Sequence, residues 1–182
     1  MTSASELNAT LPYATEEELL WITSHAKTLR NGAHVLMIGA GPCVMALALL
    51  EGNNTIILRI VDVDNLDYCK AHIKAEFPRT LVFYFQAKSQ NVNFEPIFDF
   101  IIVDGSHEYS DVLNDARLWL PKVKEDGLVF FHDYDATGTR FALQEQYPGV
   151  KQALNKFLRH QRDKYERVDR VGTALIVRRK RE

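Results

Sequence analysis

Two apolar runs between residues 98 and 135 each end in a cluster of ionisable residues, with a helical pattern between them. The run Phe98 to Val103 leads into Asp104-Gly105-Ser106-His107, and the run Leu128 to Phe131 leads into His132-Asp133. Because a strand, a crossover helix and a second strand connect with right-handed geometry, the two strands are parallel and end at one edge of the sheet. Open α/β sheets bind their ligands at that edge. We therefore expect four side chains to converge there: Asp104, His107, His132 and Asp133.

The rest of the chain repeats this alternation of strands and helices. Apolar strands are predicted at residues 34–38, 55–61 and 81–85, and helices at 44–50, 66–77 and 150–160. Thr15 followed by three glutamates predicts an N-cap and an amphipathic helix that covers one sheet face. We expect an α/β fold with a Rossmann-like, doubly wound, mostly parallel sheet. An antiparallel hairpin of residues 165–170 and 173–177 closes it.

Length and composition favour one domain. A chain of 182 residues buries enough surface to fold without disulfides or a structural metal. We expect a single domain over residues 15–182, preceded by a flexible lead-in at 1–14 whose composition is small and polar. Cys43 and Cys69 have no spacing typical of a zinc site or a disulfide framework, which fits a reducing cytoplasm.

Charge and hydropathy argue against several partners. The formal charge of −2 gives no general attraction to nucleic acid or membranes. Neither a basic leader with an apolar core nor a membrane-length apolar stretch occurs, so we expect a soluble, unprocessed protein. The sequence leaves the oligomeric state open, a homo-oligomer included.

A glycine turn and an acidic residue follow the first two strands. Gly39-Ala40-Gly41 lets the backbone approach a ligand closely and directs N–H groups at an anion or a carboxylate. The dinucleotide pattern requires a further glycine where this chain has Val44, which argues against NAD. Asp62 ends the second strand, from which a carboxylate can bind the ribose hydroxyls of an adenosine. Asp64 is better placed to cap the next helix.

These features together resemble the class I S-adenosylmethionine-dependent methyltransferases, over about residues 15 to 179. The resemblance is strongest to a small family of macrolide and sugar O-methyltransferases. Its pattern stands here as Val103-Asp104-Gly105-Ser106-His107-Glu108-Tyr109, then Asp115, Trp119, Pro121, Gly127 and His132-Asp133-Tyr134.

The resemblance implies a seven-stranded sheet with an antiparallel last strand and an S-adenosyl-L-methionine site across its first strands. The implied cofactor-binding residues are Gly39, Ala40, Gly41, Asp62, Val63, Lys88, Ser89 and Asp104. Relatives that methylate hydroxyls of small molecules hold Mg²⁺ or another divalent cation at positions matching Asp104, His132 and Asp133. In some of them a histidine placed like His107 is the general base, consistent with a cation that lowers the pKa of a bound hydroxyl.

Four positions depart from the family pattern, and one of them is His132, where magnesium-bound relatives often carry a glutamate. Met37 stands where relatives carry an acid, and Cys43 where they carry a glycine or another small residue. Lys88 replaces an acid that contacts adenine, and its ammonium group cannot accept a hydrogen bond. On this pattern we expect backbone groups alone to hold the adenine.

The leading hypothesis is metal-assisted methyl transfer from S-adenosylmethionine to an oxygen of a small-molecule acceptor. The first alternative is a degenerate, non-catalytic module of the same fold, which Met37, Cys43 and Lys88 favour. The second is a metal-dependent hydrolase built from His107, His132 and Asp133, which would leave the glycine turn and Asp62 without a purpose. A nucleic-acid methyltransferase would show a base-flipping motif, which this chain lacks.

Overall fold

The computed structural model describes residues 3–10, 13–95, 98–135 and 148–181 of the chain. The described residues form six helices, which are α1 Ala4–Thr10, α2 Glu16–Thr28, α3 Val44–Gly52, α4 Asp67–Glu76, α5 Tyr109–Trp119 and α6 Pro148–His160. They form seven strands, which are β1 His34–Ile38, β2 Ile57–Asp62, β3 Leu81–Gln86, β4 Phe98–Val103, β5 Val123–Phe131, β6 Tyr165–Val171 and β7 Ala174–Arg179. Short 3₁₀ turns lie at Ser89–Asn91 and Leu120–Lys122.

The strands form one sheet in the order β3-β2-β1-β4-β5-β7-β6. Strands β1 to β5 pair in parallel, whereas β7 runs antiparallel to both β5 and β6. The Rossmann-like sheet with an antiparallel last strand, and the closing hairpin, are confirmed. Because β1 to β5 are parallel, their carboxyl ends share one edge, which we call the ligand edge.

Each strand alternates its side chains between two hydrophobic cores. Val35 and Met37 of β1 pack in the core that contains residues of α1 to α4, and Leu36 and Ile38 pack in the core of α5 and α6. This alternation follows from the period of two along a strand. Since both faces are covered, β1 and β4 are almost continuously apolar, as parallel strands are.

The structure places a helix in the segment expected as a lead-in. Helix α1 buries Ala4 and Leu7, and the Ala4 N–H donates to Glu51 Oε1 of α3 at 2.5 Å. The buried Asn8 side chain accepts from the N–H groups of Tyr13 and Ala14 and donates to the Ala14 carbonyl. A seven-residue helix with one short apolar face has little periodic signal, and its contacts with α3 are tertiary.

Other element boundaries shift by a few residues. The largest change is in β5, which begins at Val123 rather than at residue 128. The first half of β5 was not predicted, because Lys124, Glu125 and Asp126 are charged and interrupt the apolar pattern. The β4–β5 register is also irregular between Phe98 and Phe100. Asp126 adopts a positive φ of 60°, so this part of the strand is not regular β structure.

Candidate active site

The glycine turn after β1 lies directly against the segment after β4. Gly39 has φ of 80°, its N–H donates to the Val61 carbonyl at 2.8 Å, and the Asp104 N–H donates to the Ile38 carbonyl. A Cβ added to Gly39 would stand 1.8 Å from the Asp104 carbonyl oxygen, a distance that no side chain can occupy. Glycine at position 39 is therefore what allows the turn and Asp104 to be neighbours.

Asp62 is held at the end of β2 by backbone N–H groups. Ala40 N–H donates to its Oδ2 at 2.6 Å, and Asp64 N–H donates to its Oδ1 at 2.9 Å. Both donors leave lone pairs on the partly exposed carboxylate, which is the chemistry that a ribose diol requires. Val63, the next residue, is 57% exposed at the ligand edge. The arrangement fits an adenosine bound beside the glycine turn.

Tyr13 is a site residue that the sequence analysis did not find. Its ring atoms lie within 2.8 Å of the position that a Cβ on Gly41 would take, and its ring stacks on His132 at 5.9 Å. Burial, followed by the negative charge of Asp104, raises the pKa of the Tyr13 phenol, which stays protonated as a donor. Since Asn8 fixes the backbone of residues 13 and 14, α1 determines where this ring lies.

The four residues expected to converge do so. His132 Nδ1 lies 2.8 Å from Asp104 Oδ1 and 3.3 Å from Asp133 Oδ2. His107 Nε2 lies 3.1 Å from the same Asp133 Oδ2. Asp133 has a positive φ of 54°, a conformation that a non-glycine residue adopts at an energetic cost and that turns the chain sharply after β5. The cluster is thus built from the ends of β4 and β5, as the parallel pairing predicts.

Glu18 lies behind this cluster and was predicted only as a helix-capping acid. It is fully buried, and its Oε2 accepts from the Thr15 N–H at 2.6 Å, closing the capping box of α2. Its Oε1 accepts from the N–H and the hydroxyl of Thr173, both at 2.8 Å, and its Oε2 lies 3.5 Å from His132 Nε2. The signal was the spacing of Thr15 and Glu18, but no local pattern indicates the contacts with His132 and Thr173.

The charges of the cluster reinforce one another. Burial opposes a charged His132, but Asp104, Asp133 and Glu18 outweigh it and raise its pKa well above the usual value. Burial likewise opposes ionisation of Asp133, yet His107 and His132 lower its pKa. Burial also opposes ionisation of Glu18, whose pKa is lowered by His132, Thr15 and Thr173. The cluster therefore pairs an imidazolium with carboxylates in a largely buried setting.

Part of the cluster also fits a divalent cation. One ligand atom from each of Asp104, His107 and Asp133 lies within 4.8 Å of the other two. Asp104 Oδ2 is buried and has no hydrogen-bond partner among the described residues, so its lone pairs are available to a ligand. The predicted set contained His132 in place of His107, and both ring nitrogens of His132 face carboxylates. The two carboxylates suit Mg²⁺ or Mn²⁺, whereas the imidazole is a poorer ligand for a hard cation and suits iron better.

The remaining predicted residues lie after β3. Lys88 is exposed, whereas Ser89 is partly buried and its hydroxyl donates to Asp115 Oδ1 at 2.5 Å. All the predicted positions thus lie along the ligand edge, and their individual roles stay predictions. Asp115, named in the family pattern without a role, is brought to this edge by α5.

The chain belongs to a family of methyltransferases. The sequence profile described as "Methyltransferase domain" matches residues 36–134, more than half of the chain, and these residues include the glycine turn, Asp62 and the acidic cluster. This confirms the resemblance to methyltransferases drawn from the sequence. Among curated protein sequences, none matches this chain.

Solved structures have the same architecture at low sequence identity. A Corynebacterium glutamicum protein matches with a TM-score of 0.75 at 16% identity, covering 98% of this chain and 88% of the other. An O-methyltransferase from Bacillus cereus, in complex with S-adenosylhomocysteine, matches with a TM-score of 0.69 at 13% identity and coverages of 97% and 89%. The O-methyltransferase TomG from Streptomyces achromogenes, in complex with S-adenosylmethionine, matches with a TM-score of 0.68 at 13% identity, covering 98% of this chain and 88% of the other. These likenesses show the fold.

Across the described part of the chain, none of the helices combines the length and the apolar character required to cross a membrane.

Proposed function

We propose that the protein transfers the methyl group of S-adenosylmethionine to a hydroxyl oxygen of a small molecule. The observation that carries this proposal is the contact between Gly39 and Asp104, which places the glycine turn of a methyltransferase-family chain beside a cluster suited to a metal. A methyl donor bound at the turn and a hydroxyl bound at the cluster would then be neighbours. Neighbouring structures of the same fold are O-methyltransferases in complex with S-adenosylhomocysteine or S-adenosylmethionine.

The donor would bind along the carboxyl ends of β1 and β2. Asp62, fixed by the Ala40 and Asp64 N–H groups, would accept hydrogen bonds from the two ribose hydroxyls. The backbone of Gly39 to Gly41 would face the methionine end, whose carboxylate suits N–H donors. Tyr13 now packs on Gly41, so the donor and this ring must share or exchange that position.

His107 is the proposed general base. Its side chain is 34% exposed and borders Asp133, whereas the side chain of His132 is only 5% exposed. An acceptor can therefore reach His107 but not His132. His107 would take the hydroxyl proton as the oxygen attacks the sulfonium methyl carbon, and S-adenosylhomocysteine leaves. The Asp133 carboxylate would stabilise the imidazolium that forms, because its oxygen lies 3.1 Å from His107 Nε2.

Asp104 and Asp133 would hold a divalent cation, with His132 as the third ligand predicted from the sequence. His107, which the geometry groups with the same two carboxylates, would serve as the base and not as a ligand. When bound, the cation would lower the pKa of the acceptor hydroxyl and orient it. His132, tied to Asp104 and Glu18, would position the first of these carboxylates.

A small, neutral or weakly charged acceptor is the best match to this chain. The formal charge of −2 gives no general attraction to polyanions such as nucleic acid. TomG is described as involved in tomaymycin synthesis, which makes secondary metabolites a reasonable first acceptor class. Substrate selection would rest on residues 1–14, on the loop at 134–149, of which 136–147 lie outside the described residues, or on a second subunit. The cytoplasmic location and the oligomeric state stay predictions.

The test is calorimetric titration with S-adenosylhomocysteine followed by a methylation screen. Purified protein is titrated with and without Mg²⁺, and methyl transfer from S-adenosylmethionine is then measured on a panel of hydroxylated metabolites. Asp104→Asn and His107→Ala should each lower turnover by at least about 100-fold, within the range typical of general-base and electrostatic groups. His160→Ala, an exposed histidine on α6, is the matched control and should retain full activity.

The outcomes separate the alternatives. Absence of S-adenosylhomocysteine binding would favour the degenerate module, since a transferase must bind its product. Metal-dependent phosphoester hydrolysis without S-adenosylmethionine would favour the hydrolase. Full activity of both site variants, with thermal unfolding like the parent protein, would show that the roles of Asp104 and His107 are wrong.

A further inference from the structure

Strand β6 carries Arg170 to the ligand edge. Since β7 runs antiparallel to both β5 and β6, β6 runs parallel to β5 and ends at the same edge. The Asp135 N–H donates to the Thr173 carbonyl at 2.9 Å, so the segment after β5 is tied to the turn between β6 and β7. The Thr173 hydroxyl lies 3.4 Å from Asp133 Oδ1. The ligand edge therefore continues from the acidic cluster to Arg170.

Helix α6 brings Lys151 to the same place. The helix begins against the segment after β4, where a Cβ added to Gly149 would stand 2.4 Å from the His107 carbonyl oxygen. Lys151 follows two residues later, and its Nζ lies 2.7 Å from Asp135 Oδ1. The Arg170 guanidinium pairs with the other oxygen of Asp135. Two cations thus meet at one carboxylate, on the side of the acidic cluster where His107 lies.

Positive charge exceeds negative charge around Asp135. A third cation, Arg167, donates to the hydroxyl of the neighbouring Tyr134. The charged groups of Lys151, Arg167 and Arg170 lie 5.7 to 5.8 Å from the centroid of the Tyr134 ring. Because Tyr134 directly follows Asp133, this positive group adjoins the acidic cluster.

Lys151 and Arg170 are both open to a ligand. Their side chains are 44% and 55% exposed. An ammonium group has three N–H donors and a guanidinium has five, so the bonds to Asp135 leave most of these donors available. The exposed acids that adjoin this edge, Glu108 and Asp169, form no ion pair with either cation among the described contacts.

The two neighbouring groups select different parts of a ligand. The carboxylates of the acidic cluster disfavour an anion and favour an uncharged hydroxyl beside His107, whereas Lys151 and Arg170 favour an anion. Binding sites select ligands whose charges are complementary to their own. A small molecule with a hydroxyl at one end and an anionic group at the other satisfies both groups at once.

We propose that Lys151 and Arg170 bind an anionic group of the methyl acceptor, a carboxylate or a phosphate, while the hydroxyl of the same molecule lies at His107. The acceptor is then a small hydroxy acid or hydroxylated phosphate ester, the weakly charged case of the proposed acceptor class. This inference rests on the proposed function, because it requires an acceptor hydroxyl at the acidic cluster.

The test measures binding of matched anionic and neutral ligands to protein saturated with S-adenosylhomocysteine and Mg²⁺. The ligands are the isomeric hydroxybenzoates beside their primary amides, and the hydroxyphenyl phosphates beside their neutral dimethyl esters. Calorimetric titration should show at least one anionic ligand binding about 10-fold or more tightly than its neutral counterpart, the range for hydrogen bonds to a charged group. The series that shows the preference identifies the anion as a carboxylate or a phosphate.

Two variants assign the preference to these side chains. Lys151→Gln and Arg170→Gln should each weaken the anionic ligand about 5- to 10-fold, between the effect of an exposed ion pair and that of a hydrogen bond to a charged group. Neither variant should change the affinity of the neutral counterpart. Arg178→Gln is the matched control, because Arg178 is 43% exposed and pairs with Glu166 at the opposite end of the same hairpin. High salt should reduce the preference of the parent protein.

Two results would overturn the inference. The first is equal affinity for both members of every pair, the case of no detectable binding included. The second is a preference that Lys151→Gln and Arg170→Gln leave as strong as in the parent protein. Either result, with S-adenosylhomocysteine still bound, leaves the proposed methyl transfer standing. A parent protein that does not bind S-adenosylhomocysteine would instead remove the proposed function together with this inference.

Discussion

Replacement of Glu18 by glutamine tests whether the buried carboxylate stabilises both the fold and the cluster. The side chain is fully buried and accepts three hydrogen bonds, one from Thr15 and two from Thr173, besides its contact with His132. The glutamine carbonyl can keep the two bonds from Thr173. Its NH₂ group would then meet the Thr15 N–H and His132 Nε2, which are donors, so the variant loses one charge-assisted bond and leaves a donor unpaired.

The expected cost follows from these losses. A hydrogen bond to a charged group contributes about 1.5–3 kcal/mol, and an unpaired buried donor costs a similar amount, so we expect a net loss of about 3 kcal/mol. For a chain of this length each kcal/mol lowers the thermal midpoint by roughly 2–4 °C, so the midpoint should fall by about 6–12 °C. Urea unfolding at fixed pH, followed by circular dichroism, measures the free energy directly.

Glu17 provides the matched control. Glu17→Gln removes the same charge from the same first turn of α2, but this side chain is exposed, so we expect a change within about 0.5 kcal/mol. A loss for Glu18→Gln equal to that of the control would refute the reasoning. It would mean that the contacts with Thr173 and His132 add nothing to ordinary helix capping.

Two further predictions concern Asp115 and the glycine turn. The pKa of Asp115, raised by burial to about 6 from 3.8, gives stability that is present below about pH 4 and is lost as the pH rises through about 6, a loss of about 3 kcal/mol. Asp115→Asn should abolish this contribution. The free energy of unfolding of the variant, measured with urea, should therefore rise relative to that of the parent protein between pH 4 and 6.5. A difference between the two free energies that does not change with pH would contradict the raised pKa. Gly39→Ala should prevent folding or cost more than about 3 kcal/mol, because its Cβ would overlap the Asp104 carbonyl, whereas Gly32→Ala, with a similar positive φ and open space, should cost about 1 kcal/mol. Equal thermal midpoints for the two alanine variants would show that the close approach is unimportant.

Periodic patterns predicted most of the fold. Strands β1 and β4 were predicted to the residue, because short apolar runs bounded by turn residues have few alternatives. Helix α1 was not predicted, because it is held by a bond to Glu51 of α3, which is distant in sequence, and by Asn8, which bonds to Tyr13 and Ala14 beyond the end of the helix. Pattern reasoning detects periodicity, and a seven-residue helix held by tertiary contacts has almost none.

The candidate site was predictable where strand ends determine it. Topology alone brings Asp104 and Asp133 together, because parallel neighbouring strands end at one edge. Tyr13 and Glu18 reach the cluster from helices and loops that precede the sheet, and their placement depends on how α1 and α2 pack. Which histidine joins the two carboxylates of the candidate metal site depends on side-chain geometry, because His107 and His132 both lie beside Asp133.

The bond between Glu18 and Thr173 joins residues 155 positions apart and has a consequence for biosynthesis. Domains assemble as the chain is synthesised, and contacts between distant residues form late. A nascent chain has every residue of the acidic cluster once Asp133 has emerged, but β5 still lacks its partner β7, and Glu18 lacks Thr173. Glu18 can therefore make its bonds to Thr173 only after β7 has been synthesised, so the contacts behind the acidic cluster belong to the late, long-range contacts of the fold.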